Sequence, residues 1–246
     1  MDDFSGVIAT SNDINIWAPG LPGQPLRKPE GQFVFCNFPG DTYRIRVDSG
    51  QYFAEEMAIP VRQLEPSRVV YVPLKPRPSY SFPAGTSLIR FSVRDNNDQI
   101  VPGAHVQAVV TTEGCIRAKL GKDGAGKDSK QISLVSITGK IAPGDVFFIN
   151  HPSSPNSEMC HVIAKDTVTK QCMLREPLLL DHGRGEPLLP VIQTRTDERG
   201  EGVAYFRYLP EKRWDVTLQF SYQNHTLARE VNVEEGRTLQ LGEIRI

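Results

Sequence analysis

The sequence predicts an all-β chain, and two features of it do so. Apolar stretches are interrupted every few residues by Pro, Gly, Asn or Asp along all 246 residues, a spacing that suits strands and tight turns and excludes long helices. Within those stretches apolar and polar residues alternate, which is the period of a half-buried strand. The 19 Pro and 20 Gly supply the turn chemistry that such a chain needs.

GQFVFCNFPGDTYRIRVDSGQYFAEEMAIPV, residues 31–61, reads as three strands. Val34 alternates with Phe33 and Phe35; Tyr43, Ile45 and Val47 share one face; Met57, Ile59 and Val61 share one face of a later strand. Between the first two, Asn37 to Asp41 holds a Pro that fixes φ and a Gly that permits positive φ. RVVYVPLKP, residues 68–76, then reads as a closing strand that Pro73 places at a sheet edge or a strand end. The same order returns from residue 195: a turn at Asp197 to Gly200, then VAYFRYL, a turn at Pro210, WDVTLQF, LAREVNV and TLQLGEI. This internal repeat predicts two like domains in series.

The residues GQFVFCNFPGDTYRIRV resemble the G-x-F-x-F-x-N-L-P-x-G-x-Y-x-L-x-V run of carboxypeptidase-regulatory-like, transthyretin-like (Cna-B-like) sandwich domains. The second copy resembles the same family through SLIRFSVRDNNDQIVPGAHVQAVV and TRTDERGEGVAYFRYLP. In the family the G-A-x-V strand and the T-D-x-x-G turn lie close together, whereas here Val106 and Thr196 are about ninety residues apart. The resemblance therefore implies an insertion, and loop closure permits one because its cost grows only logarithmically with length. ISLVSIT, DVFFIN, EMCHVIAKD and QCMLREPL inside it read as a small antiparallel β-barrel, similar to modules of phage-tail and cell-surface proteins. The expected architecture is two Ig-like or prealbumin-like sandwiches. Residues 1–76 form the first, 77–85 a Pro-rich linker, 86–117 with 194–246 the second, and 118–193 the inserted barrel.

Charge and motifs narrow the function classes. With 28 basic and 29 acidic residues spread along the chain, no footprint for nucleic acid is visible. Neither a signal peptide nor a membrane span is apparent, so the expected setting is cytoplasmic assembly into a particle, or a surface reached without a signal peptide. GKDGAGKDS, residues 121–129, approaches a phosphate-binding loop, but Asp128 stands where a hydroxyl is needed and KQISLVSIT continues as a strand; a flexible polar connector is the expectation. Cys36, Cys115, Cys160 and Cys172 have no zinc-ligand spacing and read as free thiols. The DNND and TDERGE turns are rich in oxygen donors, but hairpin chemistry explains them without calcium. The five His lie in no catalytic motif, although His182 follows Asp181 in a turn. The resemblance implies no peptidase activity. It implies no Lys–Asn cross-link either, since the first strand of the second copy has Arg90 and Arg94 but no Lys.

These readings predict a non-enzymatic structural or adhesive protein without cofactor or metal. Other proteins of a larger assembly, such as a phage tail or contractile injection machine, are the expected partners. The alternative is a carbohydrate-binding module. Trp17, Tyr52, Phe53 and Tyr222 are the candidate interaction surface; Tyr52 and Phe53 are adjacent, so a regular strand would turn one of them outward.

Overall fold

The structure is a computed structural model that describes residues 1–21, 23–36, 41–60, 69–166, 169–207 and 209–246. The expected turn at 37–40, Val61, Arg68, the middle of the 166–170 turn and Tyr208 lie outside the described residues. Two compact units are present, Met1–Phe82 and Pro83–Ile246.

In the first unit, β1 (Asn15–Trp17), β4 (Thr42–Asp48) and β5 (Glu55–Pro60) form an antiparallel sheet in the order β1-β4-β5, and β2 (Leu26–Arg27) pairs with β3 (Phe33–Val34) as a short hairpin. The alternation read from the sequence sets the faces, with Ile45, Val47 and Ile59 buried beside Ile14, Tyr52 and Leu74. Among its described residues, the stretch expected as a closing strand makes two isolated bridges, Leu74 to Asp2 (parallel) and Pro76 to Tyr52. Pro73 and Pro76 each remove a donor that a continuous ladder would use. The expected spacer also differs. The Arg77 N–H donates to the Gln51 carbonyl at 2.9 Å, the Tyr80 hydroxyl donates to Asp2 at 2.7 Å, and the Phe82 ring packs edge-on against Tyr80 and Phe4. Arg77 to Phe82 thus belongs to the first unit, because its aromatic side chains find a core to bury in.

The second unit contains a sandwich and a barrel. β6 (Ser87–Arg94), β14 (Glu201–Phe206) and β17 (Thr238–Arg245) form one sheet in the order β14-β6-β17, with β6 and β17 parallel. Facing it are β7 (His105–Val110), β15 (Arg213–Tyr222), β16 (His225–Glu234) and the C-terminal half of β13 (Pro187–Arg195). Ile89, Phe91, Val93, Val106, Ala108, Trp214, Leu218 and Phe220 fill the space between the sheets. Burying each of the larger side chains stabilises the fold by about 1.5–3 kcal/mol.

The barrel closes as β8 (Ala118–Leu120), β9 (Gln131–Val135), β12 (Gln171–Leu174), β11 (Glu158–Lys165), β10 (Val146–Ile149) and β13, each antiparallel to its neighbours. Leu120, Ile132, Leu134, Phe147, Ile149, Cys160, Val162, Cys172, Leu174 and Leu188 fill its interior. β13 is common to both parts: Leu188 pairs with Ala118 and Ile149, Val191 with Val146 and Val109, and Arg195 with His105. The chain therefore has no break at the expected 193/194 boundary; one continuous strand passes from barrel to sandwich.

The same turn occurs in both units. The Gly31 N–H donates to the Lys28 carbonyl at 3.1 Å and the Lys28 N–H to the Gln32 carbonyl at 2.8 Å; Gly200, Asp197 and Glu201 repeat both bonds at 3.0 and 2.8 Å. Gly31 and Gly200 have φ of 77° and 74°, and a Cβ on either would lie 2.5 or 2.9 Å from a backbone oxygen, of Ala9 or Val93 respectively. Only glycine satisfies both the φ and the close approach. The sheets β1-β4-β5 and β7-β15-β16 likewise have the same antiparallel order.

Candidate functional site

Titratable side chains converge at one end of the barrel. His182 and Ala125 exchange backbone hydrogen bonds at 2.8 and 2.9 Å, which fixes the His182 ring inside with 0 % of its side chain exposed. Nε2 lies 2.7 Å from Glu158 Oε1, and Nδ1 lies 2.7 Å from Glu186 Oε2. Both carboxylates also accept backbone N–H groups, Glu158 from Leu179 and Leu180 at 2.8 and 3.0 Å, and Glu186 from Gly183 at 3.0 Å. The cluster thereby ties the start of β11, the 178–186 loop and the start of β13 to the 121–129 stretch. With both ring nitrogens engaged by carboxylates, neither is available to activate a nucleophile, and the arrangement acts as a clamp.

GKDGAGKDS is held by the same clamp and is no loose connector. The Lys127 N–H donates to Asp181 Oδ1 at 2.7 Å and the Asp128 N–H to the Leu178 carbonyl at 2.8 Å. Gly124 has φ of 65°, and a Cβ there would meet the His182 carbonyl oxygen at 2.3 Å. The chain leaves the stretch as strand β9, so no helix N-terminus faces it.

The acidic turns are likewise spent on the backbone. Asp95 Oδ1 accepts from the Asn97 and Gln99 N–H groups at 2.8 and 2.9 Å, and Asp197 Oδ1 from Arg199 and Glu201 at 2.9 and 3.0 Å. Asp98 lies 3.2 Å from Arg245 Nη2. Among the described residues, no group of three or more His, Cys, Asp or Glu could hold a metal ion. Cys160 lies inside the barrel, whereas the neighbouring His161 points outward, 3.4 Å from Gln193 Oε1. Burial pushes the Cys160 thiol up to about 12.

The four candidate surface residues divide between the units, Trp17, Tyr52 and Phe53 in the first and Tyr222 in the second. Trp17 is 37 % exposed, with the Arg46 guanidinium 5.5 Å above its ring. Tyr52 and Phe53 are 4 % and 5 % exposed, which overturns the expectation that one of them faces outward. Strand alternation does not apply there, because Tyr52 makes only an isolated bridge; its ring packs 5.5 Å from Tyr80. Tyr222 ends β15 in the second unit, half-buried against the sandwich core.

Two surfaces escape local reading. In the first unit Val7, Leu26, Val69 and Tyr71 are each more than half exposed. In the second, the outer face of the four-stranded sheet aligns Gln193, Gln107 and Gln219 side by side on β13, β7 and β15. The alternation of each strand is visible in the sequence, but the register between strands whose paired residues lie 86 and 112 positions apart is not.

No protein-family model, curated protein or solved structure matches the chain.

Proposed function

We propose that the chain is a non-enzymatic structural or adhesive β-domain protein that takes its place in a larger assembly, such as a phage tail or a contractile injection machine. The observation that supports this reading is the apolar surface of the first unit, where Val7, Leu26, Val69 and Tyr71 are exposed. The segments that carry Val7 and Tyr71 are bonded to one N-terminal stretch: the Asp2 N–H donates to the Val7 carbonyl at 2.9 Å, and the Met1 amine to the Val72 carbonyl at 2.7 Å. Large apolar side chains left in water are surface that a protein partner would cover. The resemblance of both units to carboxypeptidase-regulatory-like sandwiches agrees with a scaffold role, and the His182 cluster is consumed as a clamp. Fractionation of a native lysate tests the proposal: the chain is expected to sediment with a particle, and recovery as free monomer alone would overturn it.

A further inference from the structure

β16 is the last strand of its sheet: among the described residues it pairs with β15 alone, over ten residues and with no shift of register. The Glu235 N–H donates to the Lys212 carbonyl at 2.8 Å, and bonding alternates along an antiparallel strand, so the odd-numbered residues of β16 bond to β15. The main-chain N–H and C=O groups of Thr226, Ala228, Glu230 and Asn232 therefore point to the open edge, and all four residues are exposed. Natural sheets blunt such an edge with Pro, a bulge, a short strand or charge. β17, which ends the facing sheet, has a bulge between Gln240 and Gly242, with Gly242 at φ of 67°. β16 has neither Pro nor bulge, and its Leu227 and Val231 bring half-buried apolar surface of the sandwich core to the edge.

What remains on β16 to control pairing is charge, and it selects the partner. Arg229 and Glu230 make no ion pair among the described residues, whereas Glu234 is held by Arg213 and Arg237 at 3.8 and 3.5 Å. Facing residues in an antiparallel ladder are either both bonded or both unbonded, so two copies joined along this edge must centre their two-fold axis on a residue. The two registers that overlap most of the strand centre on Arg229 or on Glu230 and set that residue opposite its own copy, which is destabilising. A strand of different sequence is free of that constraint. It can set a basic residue opposite Glu230 and an acidic one opposite Arg229, with apolar side chains beside Leu227 and Val231. Along an antiparallel partner the order is then apolar, basic, acidic, any residue, apolar. We infer that the open edge of β16 takes up an extended segment of another protein with this pattern as an added strand. The inference goes beyond the assembly reading and stands without it, because it rests on the second unit alone.

The test is a selection from a random peptide library displayed on phage, with the full chain immobilised. Enriched sequences are expected to carry that pattern, or its reverse for a parallel partner. A synthetic copy of the most enriched peptide should bind the wild-type chain saturably in fluorescence anisotropy. An Ala228→Pro, Asn232→Pro double variant removes two outward N–H groups and none of the bonds to β15. It should bind that peptide roughly tenfold more weakly or worse, with its urea midpoint nearly unchanged. Against Glu230→Lys the selection should exchange the basic residue for an acidic one, a readout that holds even if the proline variant folds poorly. Absence of enriched alternating sequences overturns the inference, as does binding that the prolines leave intact, or a basic preference that survives Glu230→Lys. A reversible dimer of the peptide-free chain that the prolines abolish also overturns it, since a second copy would then be the occupant. A chain that sediments with a particle yet selects no such peptide removes this inference alone; a chain that selects them but is found only as monomer removes the assembly reading alone.

Discussion

His182 is the residue on which most local geometry depends. Its ring separates two carboxylates, each 2.7 Å away and each also bonded to backbone N–H groups, so removing the ring leaves two acids enclosed without the partner between them. Leaving a buried hydrogen-bonding group without its partner costs about 1–3 kcal/mol. His182→Ala should therefore lower the urea-denaturation stability by about that amount. The variant should also admit trypsin at Lys122 and Lys127, which the wild type protects through the Ala125–His182 bridge and the Lys127–Asp181 bond. An unchanged midpoint with both lysines still protected would show that the cluster holds nothing together.

At the level of elements, β13 decides how the second unit behaves. Its first residues complete the barrel and its last ones pair with β7 in the sandwich, so the two cores are joined by one uninterrupted ladder. An insertion that merely hung from a loop would unfold by itself; this one shares a strand. Leu188→Ala, at a fully buried barrel position, should cost about 2–5 kcal/mol. Hydrogen exchange should then speed up together at Leu174 in the barrel and Leu218 in the sandwich. Loss of protection at Leu174 alone would mean that the barrel opens as a separate piece.

Across the whole molecule, burial of weak acids sets the response to alkali. Burial pushes the Cys160 thiol up to about 12 and the Cys115 thiol to about 11, and it also raises Cys172, Tyr52 and Tyr80. For each group the folded state holds its proton more tightly than the unfolded state, so the stabilisation is complete below the unfolded value. For the thiols that value is near 9, and stability is lost as pH rises from there towards 12. The loss from Cys160 alone approaches about 1.4 kcal/mol per pH unit. Urea midpoints should fall steadily above pH 9, less steeply in Cys160→Ala; a flat profile to pH 11 would contradict the burial of these groups.

The class of the fold, the face of β4 that carries Ile45 and Val47, the Asp197 to Gly200 turn and the strand after GKDGAGKDS were all legible in the order of residues. They depend on side-chain alternation and on the turn chemistry of Pro, Gly and Asp, which act over a few neighbouring positions. Packing in three dimensions was needed to establish that Tyr52 and Phe53 are both buried, that Arg77 to Phe82 joins the first unit, and that residues 121–129 are clamped by His182. The same holds for the service of β13 to two cores and for the row of Gln107, Gln193 and Gln219. Each of these rests on the register between strands or loops far apart in the chain. That register is selected by the burial of whole cores and by hydrogen-bond ladders, and no short stretch of residues encodes it.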